Sequence, residues 1–283
     1  MIKSHSEPSF SVIIAVYNNV QYLQRCIDSF IAQSYGNKEL IIIDGQSTDG
    51  TVDIIRNNST KIAYWESEPD RGIYHAFNKG VSHATAEWII FLGADDYFYN
   101  SDVLNNVAKK LVLNSSSVRL VYGRVAMVSD KNEVLQIMNK SWEKSKHNFL
   151  QVFNINHQGV FHHHCLFKDK GLFDESFRLA GDYELLLREL KDNDAYFLDG
   201  DIIAYVQIGG VSTSPENYLK VYKEFYRARS KNAVKGIPYR LMFSFLTAYI
   251  RLMMIKILGN NITNNITDFY RKLGGQLPLW TKL

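Results

Sequence analysis

Short apolar runs and helical spacings alternate along the first hundred residues. Phe10 to Val16 (Phe-Ser-Val-Ile-Ile-Ala-Val) predicts a strand covered on both faces, closed by the turn Tyr17-Asn18-Asn19. Tyr22, Leu23, Cys26, Ile27, Phe30 and Ile31 then recur on one face of a helix. Glu39 to Asp44 predicts a second strand, Thr51 to Asn57 a helix, Lys61 to Glu66 a third strand and Ile73 to Ala84 another helix. Glu87 to Leu92 is a fourth strand that runs into Asp95 and Asp96. Four strand–turn–helix units imply a parallel sheet with right-handed crossovers, half of a doubly wound α/β fold, with every polar turn on one edge.

Beyond Asp96 the pattern changes. A helix is predicted over Val103 to Leu113, and strands over Val118 to Val128, Val134 to Met138 and Phe161 to Phe167, the last carrying His162, His163 and His164. On a strand those histidines alternate between faces and cannot share one metal, so His163 is expected to be structural and the other two to face cleft or solvent. Asp182 starts a helix with Leu185, Leu186 and Leu190 inward, and two short strands follow at Ala195 to Leu198 and Ile203 to Ile208. From Pro215 the chain is helical and basic, with Tyr218, Val221, Tyr222 and Phe225 interleaved with Lys220, Lys223, Arg227 and Arg229. Ile237 to Leu258 is strongly apolar, but Arg251 and Lys256 keep any uncharged run below the roughly 18 residues a spanning helix wants. This predicts a helix in the membrane interface or packed on the domain; a buried or oligomer-facing helix is the plainer alternative.

Composition narrows the class. The chain has 283 residues, 46% hydrophobic and 22% charged, which is ordinary globular material and excludes disorder and fibres. A net charge of +3 gives no case for nucleic acid. Two distant cysteines, Cys26 and Cys165, fit a reducing cytoplasm better than a disulfide scaffold. The N-terminal residues lack the apolar core of a signal peptide, so secretion is not indicated.

The candidate chemistry sits where strands end. Asp95 and Asp96 close a buried strand, the place where open α/β sheets bind ligands. Adjacent acids raise each other's pKa unless a cation neutralises them, and Mg²⁺ or Mn²⁺ completed by substrate phosphates suits one or two carboxylates. The competing reading is an Asx-rich turn capping the helix that begins near Ser101. Asp44 ends the second strand, and Ser47, Thr48 or Asp49 could cap the helix after it.

Four segments carry a family resemblance in order and spacing: Val-Ile-Ile-Ala-Val-Tyr-Asn18, Ile-Ile-Asp-Gly-Gln-Ser-Thr-Asp-Gly-Thr51, Glu-Pro-Asp-Arg-Gly-Ile-Tyr74 with Asn78-Lys-Gly80, and Phe-Leu-Gly-Ala-Asp-Asp96. Together they resemble the family 2 glycosyltransferases of the GT-A fold, tightly over the first hundred residues, more loosely to about Ser212, and not over the C-terminal helices. The resemblance implies a nucleotide-diphospho-sugar transferase with a mostly parallel central sheet, flanking helices and a C-terminal helical extension. It implies a catalytic domain at 1–213, with a nucleotide-binding half at about 8–100 and an acceptor half at about 101–213; the basic and apolar pattern beyond it predicts a helical, membrane-associating region at 214–283.

By the same resemblance, Tyr17 lies against the nucleobase, Asp44 on base or ribose, Asp70 and Arg71 near the nucleotide and Asp95 near the ribose. Val16, Asn18, Ser47 and Asn78 complete the expected donor-binding set. Asp96 would hold Mn²⁺ or Mg²⁺ on the diphosphate, and Asp182 would be the base that inversion requires. An N-cap is the ordinary alternative for Asp182. His157 and Gln158 resemble an acceptor-side segment, and Gly209-Gly-Val-Ser212 a loop closing over the donor. Three departures stand out: Ala15 stands where a hydroxyl or proline is common, Gly181 precedes the expected base where relatives often have Glu, and His75 stands where they often have Asp. His75 reads as a surface or packing residue unless it faces the donor.

The expected activity is inverting transfer of a sugar, from a UDP-sugar, to a glycan or lipid-linked glycan in surface-polysaccharide or lipopolysaccharide assembly. A basic stretch followed by 236–258 would hold the enzyme peripherally on an anionic inner membrane face. The rivals are a nucleotidyltransferase, which would need a Gly-rich basic loop where Val16 to Val20 has none, and a non-catalytic nucleotide-sugar-binding protein. No motif in the variable middle and C-terminal parts names the sugar, the acceptor or an oligomeric state.

Overall fold

A computed structural model of the chain describes residues 7–113, 118–209, 217–275 and 277–282. Its centre is a nine-stranded sheet. The first four strands are β1 (Phe10–Val16), β2 (Lys38–Asp44), β3 (Tyr64–Ser67) and β4 (Trp88–Gly93). They lie in the order β3-β2-β1-β4 and are parallel throughout. Alternate residues of each run serve opposite faces. Ile13, Ile41, Ile43, Ile89 and Phe91 join one apolar layer, while Val12, Ile14, Leu40, Ile42, Ile90 and Leu92 join the other. An unbroken apolar run is what burial on both faces demands.

The crossovers α1 (Leu23–Ile31), α2 (Thr51–Asn57) and α3 (Ile73–His83) follow the predicted spacing. Leu23, Cys26, Ile27 and Phe30 of α1 enter the second layer; Ala76, Phe77 and Val81 of α3 enter the first. β3 starts three residues later than expected, because Ser59–Lys61 form a 3-10 turn.

After the short β5 (Tyr97–Phe98) and α4 (Val103–Leu113), the remaining strands are β6 (Leu120–Val128), β7 (Val134–Met138), β8 (Val160–His163) and β9 (Tyr196–Gln207). β8 inserts antiparallel between β4 and β6, and β6 pairs parallel with β9. Three expectations are corrected here. The strand over Phe161 to Phe167 is only four residues of β8, because His163 caps the helix α6 (His164–Lys170) through Nδ1 and the Cys165 N–H. The two strands expected after Ala195 are one, β9, which passes Gly200 with register shifts against β6. Helix α5 (Trp142–Phe149), anchored by Trp142 and Phe149, was not anticipated.

α7 (Gly181–Leu190) packs in the first layer, and α8 (Tyr218–Lys231) adds Val221, Phe225 and Ala228 to it. α9 (Tyr239–Leu273) bends at Gly259, where φ is 79°. Past the bend the chain returns to the β6–β7 hairpin, with Arg271 on Gln136 and Lys282 on Glu133. α9 is apolar enough to cross a membrane by length and composition, yet only 11% of its apolar window is buried. Within this chain, then, the helix is not buried, and the oligomer-facing alternative stands beside the membrane one.

Candidate active site at the strand ends

The register sets the four turns level. Val16 pairs with Asp44, Asp44 with Ser67, and Ala15 with Gly93, so the polar turns leave the sheet side by side. At about 4.8 Å per strand they form a shelf roughly 14 Å wide. The turns are also stitched together. The Asn18 N–H donates to Ser47 Oγ at 2.7 Å, and the Thr48 N–H donates to Asn18 Oδ1 at 2.9 Å. The Gly45 N–H donates to the Val16 carbonyl at 2.8 Å. Val16 itself is core, while Tyr17 is 66% exposed on the shelf.

Asp44 is fully buried and turned inward. It accepts the Ser47 N–H at 2.9 Å, the Ser47 hydroxyl, and the Ser67 hydroxyl at 2.6 Å. Its evident work is to hold the turn that presents Ser47. Asp70 and the Tyr17 ring close on Gly45 from two sides: a Cβ at that position would stand 2.7 Å from Asp70 Oδ2 and 3.4 Å from Tyr17 Cδ2.

Asp95 and Asp96 curl back over Gly93, where a Cβ would lie 2.8 Å from Asp95 Oδ1 and 2.6 Å from Asp96 Oδ2. Asp96 is buried; it accepts the Gly93 N–H at 3.1 Å and the Gln207 N–H at 3.0 Å, and Gln158 also bonds to it. Burial, then the charge of Asp95, pushes the Asp96 carboxyl up to about 7. Burial raises Asp95 too, against the pull of Arg25, whose guanidinium donates to the Asp95 carbonyl at 2.9 Å. Two acids held together at such cost are an oxygen-only donor set that a divalent cation would relieve. Among the described residues no cluster of three or more His, Cys, Asp or Glu gathers, so this chain would offer such an ion the two adjacent carboxylates.

Arg71 is exposed and pairs with Glu175 at 2.6 Å. His75 accepts the Arg71 N–H at 3.3 Å and so backs this turn. Asn78, expected near the nucleotide, is buried and spent elsewhere. Its amide donates to the Phe173 carbonyl at 3.0 Å and to Glu175 at 3.2 Å, and its oxygen accepts the Phe173 N–H at 2.9 Å. It pins the loop between α6 and α7 beneath Arg71.

Asp182 opens α7. It accepts the Tyr183 N–H at 2.8 Å and the Tyr74 hydroxyl at 3.3 Å, and burial pushes its carboxyl up to about 6. The Tyr74 ring also explains Gly181, where a Cβ would come within 2.8 Å of ring carbon.

His157, read as acceptor-side, is 7% exposed and stacks on Phe91. His157 Nε2 meets His162 Nε2 at 3.3 Å, and His162 Nδ1 meets the Ile89 carbonyl. Burial lowers both proton affinities, His162 to about 4, so they form a neutral core pair. This corrects the expectation that His162 faces cleft or solvent; Gln158, by contrast, reaches Asp96. Of the glycine-rich loop only Gly209 is described, and Gly210 to Ser212 lie outside the described residues.

Sequence reasoning passed over Arg25, Gln207, Glu175 and Glu224. Arg25 reads as a solvent-facing helix residue, and the others owe their places to pairings 97 to 182 positions apart or, for Glu224, to a helix outside the motifs.

Residues 11–177 match the family model described as glycosyl transferase family 2. A PGL/p-HBAD biosynthesis glycosyltransferase of Mycobacterium bovis is 33% identical over 237 residues, covering 81% of this chain and 87% of the relative. Among solved structures, S. aureus TarS superposes with a TM-score of 0.63 at 19% identity over 85% of this chain, which spans 43% of the TarS chain. TarS 1–349 in complex with UDP-GlcNAc gives 0.63 at 18% identity, over 88% of this chain and 73% of that one. The mannosyltransferase PcManGT of Pyrobaculum calidifontis, in complex with GDP-Man and Mn²⁺, gives 0.62 at 16% identity, over 95% and 81%. Parallel strand ends, crossover turns and a second half of mixed pairing are thus the GT-A arrangement, and the chain belongs to glycosyl transferase family 2.

Proposed function

We propose that the protein is an inverting glycosyltransferase that moves a sugar from a UDP-sugar to a hydroxyl of a glycan or lipid-linked glycan in cell-surface polysaccharide assembly. The observation that carries this reading is the level shelf of four turns, with Asp182 one hydrogen bond from the helix that follows Arg71. Structural neighbours holding UDP-GlcNAc, or GDP-Man with Mn²⁺, support a nucleotide-sugar donor, and relatives named for PGL/p-HBAD biosynthesis support a surface-glycan role.

The exposed Tyr17 ring takes the base by stacking. Asn18, Ser47, Asp70 and the backbone at Val16 surround the nucleoside, Asp95 takes the ribose, and Asp96 would hold Mn²⁺ or Mg²⁺. When bound, the cation neutralises charge that develops on the departing diphosphate. Arg71 adds its own charge there after exchanging Glu175 for phosphate. Asp182 accepts the proton of the acceptor hydroxyl while that oxygen bonds to the anomeric carbon. The bond from that carbon to the diphosphate oxygen breaks, its electron pair leaves with the nucleoside diphosphate, and the configuration inverts.

We place the enzyme in the cytoplasm, peripheral on the inner membrane face. The support is α9, where Tyr239, Met242, Phe243, Leu246, Tyr249, Ile250, Met253 and Ile257 form an exposed stripe on successive turns. From Phe225 to Thr267 there are seven Lys or Arg and no acid, which suits an anionic surface.

The test is a thermal-shift panel of nucleoside diphosphates and their sugars with Mn²⁺. UDP and a UDP-sugar should stabilise the protein by about 2.7 kcal/mol at a hundredfold excess over Kd. No shift with any nucleotide, with or without metal, overturns the reading.

A further inference from the structure

Helix α8 reaches the start of α7 through one carboxylate. Glu224 Oε1 accepts the Arg178 N–H at 2.9 Å, and Oε2 accepts the N–H groups of Leu179 and Ala180, each at 2.8 Å. These donors immediately precede the turn that carries Asp182. Ala180, at the N-cap, has no side chain able to cap the helix, and the three N–H groups that lead into it find their acceptor on a different element. The segment is held from a second element as well, since Arg178 donates to the Arg71 carbonyl, while Lys231 of α8 itself pairs with Asp174 at 2.7 Å.

Asp182 therefore sits between two walls. Tyr74 of α3 supplies a hydroxyl on one side and, by crowding Gly181, fixes the backbone. Glu224 of α8 fixes the approach from the other. Tyr74 and Glu224 are the titratable groups that act on the Asp182 side chain.

We propose that Glu224 is the positioning residue of Asp182: by closing on three consecutive backbone N–H groups it fixes the first turn of α7, and so the direction in which the Asp182 carboxylate points. This rests on the reading of Asp182 as the base. A charge effect accompanies the geometric one, because the Glu224 carboxylate disfavours the ionised form of Asp182.

The test uses the full chain and three variants, Glu224→Gln, Glu224→Ala and Asp182→Asn. The readouts are amide hydrogen exchange over 178–183, the titration midpoint of the Asp182 carboxyl by ¹³C NMR, and kcat with donor KM. Glu224→Gln should speed exchange over 178–183 and move the Asp182 midpoint below about 6, because a negative charge is removed. It should lower kcat on the order of 10²-fold, the cost of a misplaced catalytic group, and leave donor KM unchanged. Unchanged exchange and midpoint in folded Glu224→Gln overturn the proposal. If Glu224→Ala fails to fold, the isosteric Gln variant decides. If Asp182→Asn retains full transfer, the base reading fails by itself, while exchange and midpoint still report on whether Glu224 positions Asp182.

Discussion

The Tyr74 hydroxyl stands 3.3 Å from Asp182 Oδ1, joining α3, which follows Arg71, to the first turn of α7. Burial holds the Tyr74 phenol well above its usual range, so it remains a donor at any working pH. Helices α3 and α7 thus meet at one hydrogen bond.

With Asp182 as the proposed base, burial sets the pH behaviour of transfer and the Tyr74 bond offsets part of it. Asp182 must be ionised to accept a proton, so kcat should fall as pH drops through about 6. Asp182→Asn should cost roughly 10² to 10⁴ in kcat with donor binding intact. Tyr74→Phe removes a bond to the charged form, so the acid limb should move to higher pH. A kcat profile flat from pH 5 to 8 would contradict the assignment.

Asp96 makes an opposite demand on stability. Its folded-state pKa, about 7, exceeds the ordinary 3.8, so the folded chain binds the proton more tightly than the unfolded one. Without metal, that stabilisation is present at low pH and is lost as pH rises through this window. Asp96→Asn should therefore gain in Tm relative to the unsubstituted chain between pH 5 and pH 8. Asp96→Ala should abolish nucleotide-sugar turnover. Parallel Tm curves across that range, or a fully active Ala variant, would remove the proposed metal role.

Gly181 is fixed by sterics rather than by chain flexibility. Gly181→Ala would put a methyl within 2.8 Å of the Tyr74 ring and should destabilise by about 1–3 kcal/mol, read as a shift in urea midpoint. Tyr74→Ala in the same chain should recover part of that loss, and a strictly additive double mutant would show that the two do not touch.

The α9 stripe should decide membrane attachment. Phe243→Glu with Leu246→Glu should lower co-sedimentation with anionic phosphatidylglycerol vesicles, with little effect on Tm because both side chains are already exposed. If the unsubstituted chain stays in the supernatant and instead forms a concentration-dependent dimer, the face belongs to a second copy.

The first half of the fold was legible because its physics is local. A parallel strand buried on both faces must be an apolar run, and a crossover helix must carry a stripe, so the elements from Phe10 to Gly93 read in the right order, with the start of β3 displaced by three residues. The second half depends on partners far along the chain. His162 looks exposed-polar in sequence, yet it is buried because Ile89 and His157 satisfy both ring nitrogens. Gly200 looks like a break between two strands, yet β6 carries β9 past it by shifting register. At the site, the turn residues were visible as polar endings of apolar runs. The grip of Asn78 on Phe173 was not, because no local pattern records a contact 95 positions away.

The switch from parallel to antiparallel pairing between β4 and β8 has a consequence for how such a protein can change over generations. Every turn of the shelf comes from the contiguous parallel block, whereas Asp182 and Gln158 come from chain that enters after the switch. Under the proposed function, substitutions confined to the later chain would change the acceptor while the donor-side turns stayed as they are.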